Sequence, residues 1–138
     1  MNQIVKIETV QDKIIDIREE KVILDSDVAA LYGVETKEVN QAVSNNPDKF
    51  PKGYIFKLTK NEKQEVVKIF DHLSKLKFSP HLPTAFTKKG LYMLATIIKS
   101  PKAVRTTLDI IETYAKIKYL SRNISLLPDA EVETIERL

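Results

Sequence analysis

Leu24-Asp25-Ser26-Asp27-Val28-Ala29-Ala30-Leu31-Tyr32-Gly33-Val34-Glu35-Thr36-Lys37-Glu38-Val39-Asn40-Gln41-Ala42-Val43-Ser44-Asn45-Asn46 is the stretch whose reading decides the fold. Val28, Leu31 and Tyr32 recur at helical spacing, with Ala29 and Ala30 keeping the helix slim. Asp25, Ser26 and Asp27 are N-cap candidates, and Gly33 is suited to a helix C-cap. Thr36 is placed to cap a second helix over 36–46, whose inward stripe is Val39, Ala42 and Val43. The result is a helix-turn-helix with a polar outer face, a common way to present side chains to a DNA major groove.

Before this stretch, Lys13–Arg18 and Lys21–Leu24 are β-branched runs that predict a hairpin turning at Glu19-Glu20. After it, Pro47 stops the second helix, Phe50-Pro51-Lys52-Gly53 makes a turn, and Tyr54–Leu58 reads as a strand. Thr59-Lys60-Asn61-Glu62 has the form of a capping box opening a helix in which Val66, Val67 and Phe70 are core candidates. Residues 71–83 lack periodicity and read as a basic loop or a frayed helix end. Thr84-Ala85-Phe86 is a short strand, and Thr87 caps a helix from Lys88 to Lys99 with Leu91, Leu94, Ala95 and Ile98 inward.

Ser100-Pro101 opens a long last helix that Pro128 ends. Two stripes run along it. One is Val104, Leu108, Ile111 and Ala115; the other is Ala103, Ile110, Ile117 and Ile124, with Thr107, Tyr114 and Ser121 between. One stripe can face the domain and the other a partner helix, and Ile110, Tyr114, Ile117 and Ile124 are the candidate dimer interface. The expected fold class is α+β: a small β-sheet (hairpin plus short strands) with a helix-turn-helix and a long C-terminal helix. Residues 1–11 are expected as an N-terminal arm, 12–123 as the domain and 124–138 as an acidic tail.

At 138 residues the chain suits one domain, and an apolar fraction of 43% can fill a core. No run approaches the roughly 18 apolar residues of a membrane helix, and no basic-then-apolar leader opens the sequence. The absence of cysteine excludes disulfides and thiolate metal sites, and a cytoplasmic location is expected. Net charge is +3, unevenly spread: residues 84–123 carry +6, whereas 124–138 carry −3. A basic face of that size can hold phosphates.

Catalytic and metal signatures are missing. His72 and His81 make no His-x-x-x-His pair and read as surface loop residues. Asp25 and Asp27 could be a metal-binding acid pair, but helix capping accounts for them more simply. With three glycines the chain has no P-loop or Gly-x-Gly-x-x-Gly. Neither enzyme activity nor a cofactor is expected.

Leu24–Ala29 with Leu31–Lys37, Asn40–Val43, Asn46, Phe50-Pro51 and Phe56–Thr59 resembles the phage "open reading frame six, N-terminal" DNA-binding domain, related to the KilA-N and Bro-N domains. Ala85-Phe86-Thr87-Lys88-Lys89-Gly90 with Met93-Leu94 is similar to its second signature. The resemblance spans roughly residues 12–120. It implies a small α+β DNA-binding domain of phage antirepressors and mobile-element regulators, with no catalytic residues to transfer. Where the family commonly has basic residues, this chain has Glu38 and Ser44-Asn45.

The expected function is therefore sequence-specific binding of double-stranded DNA by a homodimeric phage antirepressor or mobile-element transcriptional regulator. Thr36, Lys37, Asn40, Gln41 and Ser44 are the base-reading candidates, because Asn and Gln can pair with adenine and Lys with guanine. The phosphate candidates are Lys49, Lys52, Lys57, Lys75, Lys77, Lys88, Lys89, Lys99, Lys102 and Arg105. The alternative is a protein-interaction module that binds a repressor or other regulator without using DNA. The acidic residues on the second helix and the free stripe of the last favour it.

Overall fold

The computed structural model describes residues 7–126, with side-chain burial described for 10–118. The elements run α1 (Ile7–Lys13), β1 (Ile15–Ile17), β2 (Glu20–Leu24), α2 (Asp25–Tyr32), α3 (Thr36–Ser44), β3 (Ile55–Lys57), α4 (Lys60–Ile69), β4 (Thr84–Phe86), α5 (Lys88–Ile97) and α6 (Pro101–Leu126). The α+β class is as the sequence predicts. The sheet is antiparallel in the order β1-β2-β4-β3, with β4 pairing Ala85 to Leu24 on one side and to Phe56 on the other.

Residues 7–13, divided in the sequence between an arm and a strand, form α1, which packs against α6. The hairpin turns one residue earlier than predicted. Ile17 pairs with Glu20, and Arg18 and Glu19 occupy the turn at φ of 55° and 62°. Two positive φ values are what a two-residue turn with the right strand twist demands, a role usually given to Asn-Gly. Here the Arg18 side chain holds the tip in place. It donates to Glu62 at 2.8 and 2.9 Å and to Lys57 O at 3.3 Å, and its guanidinium lies 4.2 Å from the Phe56 ring centroid.

The capping box at Thr59 forms as the sequence predicts: Glu62 N donates to Thr59 Oγ1 and Thr59 N to Glu62 Oε1. Residues 71–78 are a 3-10 helix, not a loop, and bury Leu73 against Leu58, Val66 and Ala85. The larger core cluster, which includes Ile23, Val28, Tyr32, Phe86, Leu91 and Ile110, joins the sheet to α2, α5 and α6.

The second signature has a steric basis. Thr87 N and Thr87 Oγ1 both donate to Tyr54 O, at 3.1 and 2.9 Å, so α5 starts directly on the backbone preceding β3. A Cβ at Gly90 would stand 2.1 Å from the same carbonyl oxygen. Only glycine permits this approach.

The stripes of α6 are assigned the other way round from expectation. Ala103 and Ile110 are fully buried and Tyr114 is 8% exposed, whereas Val104, Leu108 and Ile111 are 58%, 56% and 39% exposed. Tyr114 donates its hydroxyl to Lys21 O at 2.9 Å, and burial pushes the phenol above its ordinary range. Ile110 and Tyr114 are thus domain core, not a dimer face, and Ile117 is half-buried. The side chain of Ile124 lies outside the described residues, as does most of the expected tail.

Two outcomes test this account. Gly90→Ala should cost about 3 kcal/mol in chemical denaturation, because backbone must move to admit the methyl group. The Glu62 carboxylate is pulled down to about 2 from an ordinary 4.5, first by its bond from Arg18. Its stabilisation is complete above the higher value and disappears as pH falls through the lower. The stability gap between wild type and Glu62→Gln should therefore be constant near neutral pH and close progressively below about 4.5.

Candidate nucleic-acid interface

The turn between α2 and α3 is set by Gly33. Its φ is 72°, Val34 N donates to Ala29 O and Gly33 N to Ala30 O. These are the two bonds of a Schellman motif. The predicted caps differ at the other ends. Leu24 and Glu35 hold the N-cap positions of α2 and α3 without a side-chain cap, so Asp25 and Thr36 are already helical. Val39 and Ala42 seat α3, as the apolar spacing predicts. Lys37, Glu38, Gln41 and Ser44 are exposed, and Thr36 is half-buried.

Asp25 and Asp27 are not free capping groups. They are 1% and 7% exposed, and each meets a distant histidine. His81 Nε2 lies 3.1 Å from Asp25 Oδ2, and His72 Nε2 lies 3.0 Å from Asp27 Oδ2. Both histidines are exposed, as expected of surface residues, and through these contacts they tie the segment before β4 to α2. Burial raises the Asp27 carboxyl above its ordinary range, with His72 pulling it partly back. Among the described residues no group of three or more His, Cys, Asp or Glu could hold a metal ion. The histidine pairs left no sequence signal, being 45 and 56 residues from their acids.

Asn40 is drawn into the same cluster. Its Nδ2 donates to Asp25 Oδ2 at 3.0 Å, which orients α3 against the start of α2. One open groove is lined by Lys37, Asn40, Gln41, Val43 and Ser44 of α3 together with Ile55, Lys57, Thr84 and His81. Four of the five base-reading candidates and one phosphate candidate thus share a surface.

The remaining cations divide among other places. Lys77 lines a groove with Lys60, Lys63 and Lys68, which sequence reasoning did not single out. Lys63 is already bound, donating to Ser79 O and to His81 O. Lys88 and Lys89 line a further groove with Lys21 and Lys118. The Lys102 side chain lies over Gly33 at the turn. Lys49, Lys52, Lys75, Lys99 and Arg105 are exposed and line none of these grooves.

A family model for the ORF6N domain matches residues 12–97. The chain belongs to the ORF6N domain family. This is a phage-type regulatory domain. Neither a curated protein nor a solved structure matches the chain. The ORF6N match takes in the sheet, α2, α3 and α5, and it stops where α5 stops; α6 lies beyond it. No helix among the described residues is long and apolar enough to cross a membrane.

The bond from Asn40 separates framework from surface in the α3 set. Asn40→Ala should lower unfolding free energy by about 2 kcal/mol, the usual range for a bond to a partly buried carboxylate. Lys37→Ala, Gln41→Ala and Ser44→Ala should each stay within about 0.5 kcal/mol of wild type. Equal losses at all four positions in thermal or chemical unfolding would contradict this division.

Proposed function

We propose that this ORF6N domain is a sequence-specific binder of double-stranded DNA, acting as an antirepressor or transcriptional regulator of phage or mobile-element origin in the cytoplasm. The observation that carries the reading is the groove along α3. An exposed helix face bearing Lys37, Gln41 and Ser44 stands beside Lys57, with its angle fixed by Gly33 and by the Asn40–Asp25 bond. A single α-helix fits the major groove, and Gln and Lys are suited to adenine and guanine edges. Asn40 acts in this scheme chiefly as the group that orients the reader. Lys57 and the neighbouring lysines hold phosphates, and catalysis has no part in it.

A second reading has its own support. Glu35 and Glu38 are exposed at the start of α3, where they repel phosphates. A repressor protein with a basic face would be attracted to the same helix. Fluorescence anisotropy with duplex DNA at two salt concentrations separates the readings. DNA binding should be salt-sensitive, and Lys57→Ala should flatten the salt slope by about one unit. Lys37→Ala with Gln41→Ala should abolish preference for a selected sequence while leaving random-duplex binding in place. No binding at low salt would sink the DNA reading in favour of the protein partner.

A further inference from the structure

We propose that α6 pairs antiparallel with α6 of a second copy of this chain, through Val104, Leu108, Ile111 and Ala115. Three large aliphatic side chains stand exposed in one row, at 58%, 56% and 39%. Their spacing with Ala115 is four, three, four residues, the a/d pattern of helices that pack along a seam. The domain body occupies the opposite side of α6, where Ala103, Thr106, Ile110, Thr113 and Tyr114 are buried. The row is therefore surplus to the monomer's core and is open to a partner. Pro101 before it and Lys118 after it limit it to about three turns.

Charge selects a second copy as that partner and sets its direction. Arg105 and Glu112 lie on the same flank of the row, one before its midpoint and one after. In an antiparallel pair related by a two-fold axis, the same flank of each helix meets along one side of the seam. Arg105 of each copy then faces Glu112 of the other, so the contact is made twice. Neither residue forms an ion pair with another described residue. A parallel pair would instead bring Arg105 and Glu112 against the other flank. That flank holds Thr107, whose hydroxyl donates to Ala103 O at 2.7 Å, and Tyr114, bound to Lys21 O. The antiparallel arrangement sets the two opposite charges against each other across the seam, beyond the coupling that Arg105 has with Asp109 of its own helix. It assigns Arg105 to this contact instead of to phosphate.

The pairing is independent of any nucleic-acid role, although it would bear on one. Thr106 Oγ1 donates to Leu31 O at 2.8 Å and Lys102 covers Gly33, so α6 is fixed to the α2–α3 turn. Two joined α6 helices would hold two such turns at a set separation.

Sedimentation velocity of the full chain, from low to several hundred micromolar, tests the proposal. Wild type should self-associate, and Leu108→Lys should sediment as a monomer with an unchanged circular dichroism spectrum. Arg105→Glu and Glu112→Arg, both surface changes, should each weaken association about tenfold, since each reversal sets like charges opposite one another twice. An equimolar mixture of the two variants should regain the wild-type association, because each then supplies the charge that the other lacks. A wild-type monomer throughout the range would overturn the proposal. So would a dimer that survives Leu108→Lys, or a mixture no tighter than its components.

Discussion

One buried carboxylate does more to organise this domain than any other side chain. Asp25 stands where β2 becomes α2, at 1% exposure. Removing a carboxylate from water is costly unless hydrogen bonds replace its hydration. Its replacements come from three places: Ser26 N of its own helix, Asn40 of α3, and His81 from the segment leading into β4. Satisfying one oxygen pair thus fixes the second helix against the first and positions the strand at the centre of the sheet. Asp27 repeats the device two residues along with His72. The negative charges also lie in the first turn of α2, where the helix dipole favours them.

This explains why the front of the domain was more legible in the sequence than its back. Gly33 and Thr59 act through bonds within a few residues, as does the capping bond of Thr87 to Gly90 N, and such local chemistry can be read from spacing. The anchoring of Asp25 and Asp27 spans dozens of residues and uses histidines that no motif marks. The short 3-10 helix over 71–78 escaped for a related reason. It is seated by a single buried residue, Leu73, which is too little to produce a period. In α6 the misleading signal was polarity. The buried face contains Thr106 and Thr113, whose hydroxyls are satisfied by carbonyls of Leu31 and Asp109. The exposed face is the more continuously apolar of the two, so hydrophobicity alone points the helix the wrong way. Of the candidate site, the exposure of Lys37, Gln41 and Ser44 was legible because helical periodicity fixes which residues face out, whereas the bond that draws Asn40 to Asp25 was not. The grouping of lysines into separate grooves depends on the packing of distant elements and was not.

Under the proposed DNA reading, α3 and the basic residues perform different tasks. The α3 face carries Lys37 against Glu35 and Glu38 and contributes little net attraction. Under that reading electrostatic grip, which supplies most non-specific DNA affinity, comes from lysines on other elements. The ORF6N match ends ahead of α6: the matched part contains α2, α3 and the sheet, and the helix that follows packs against α2 and α5.

The hairpin tip couples two positions in a way that constrains sequence drift. Arg18 sits in a backbone conformation that favours glycine, yet its side chain is the link to Glu62, Lys57 and Phe56. A glycine there would relax the turn and cut the link; a lysine would keep the strain and lose the forked grip on the carboxylate. Neither neighbouring substitution is a free step while Glu62 remains. If Glu62 were lost first, the reason for arginine would go with it, and the turn could revert to residues better suited to it. Positions 18 and 62 should consequently change together or not at all among descendants of this chain, a covariation arising from a pair on the surface and not from the core.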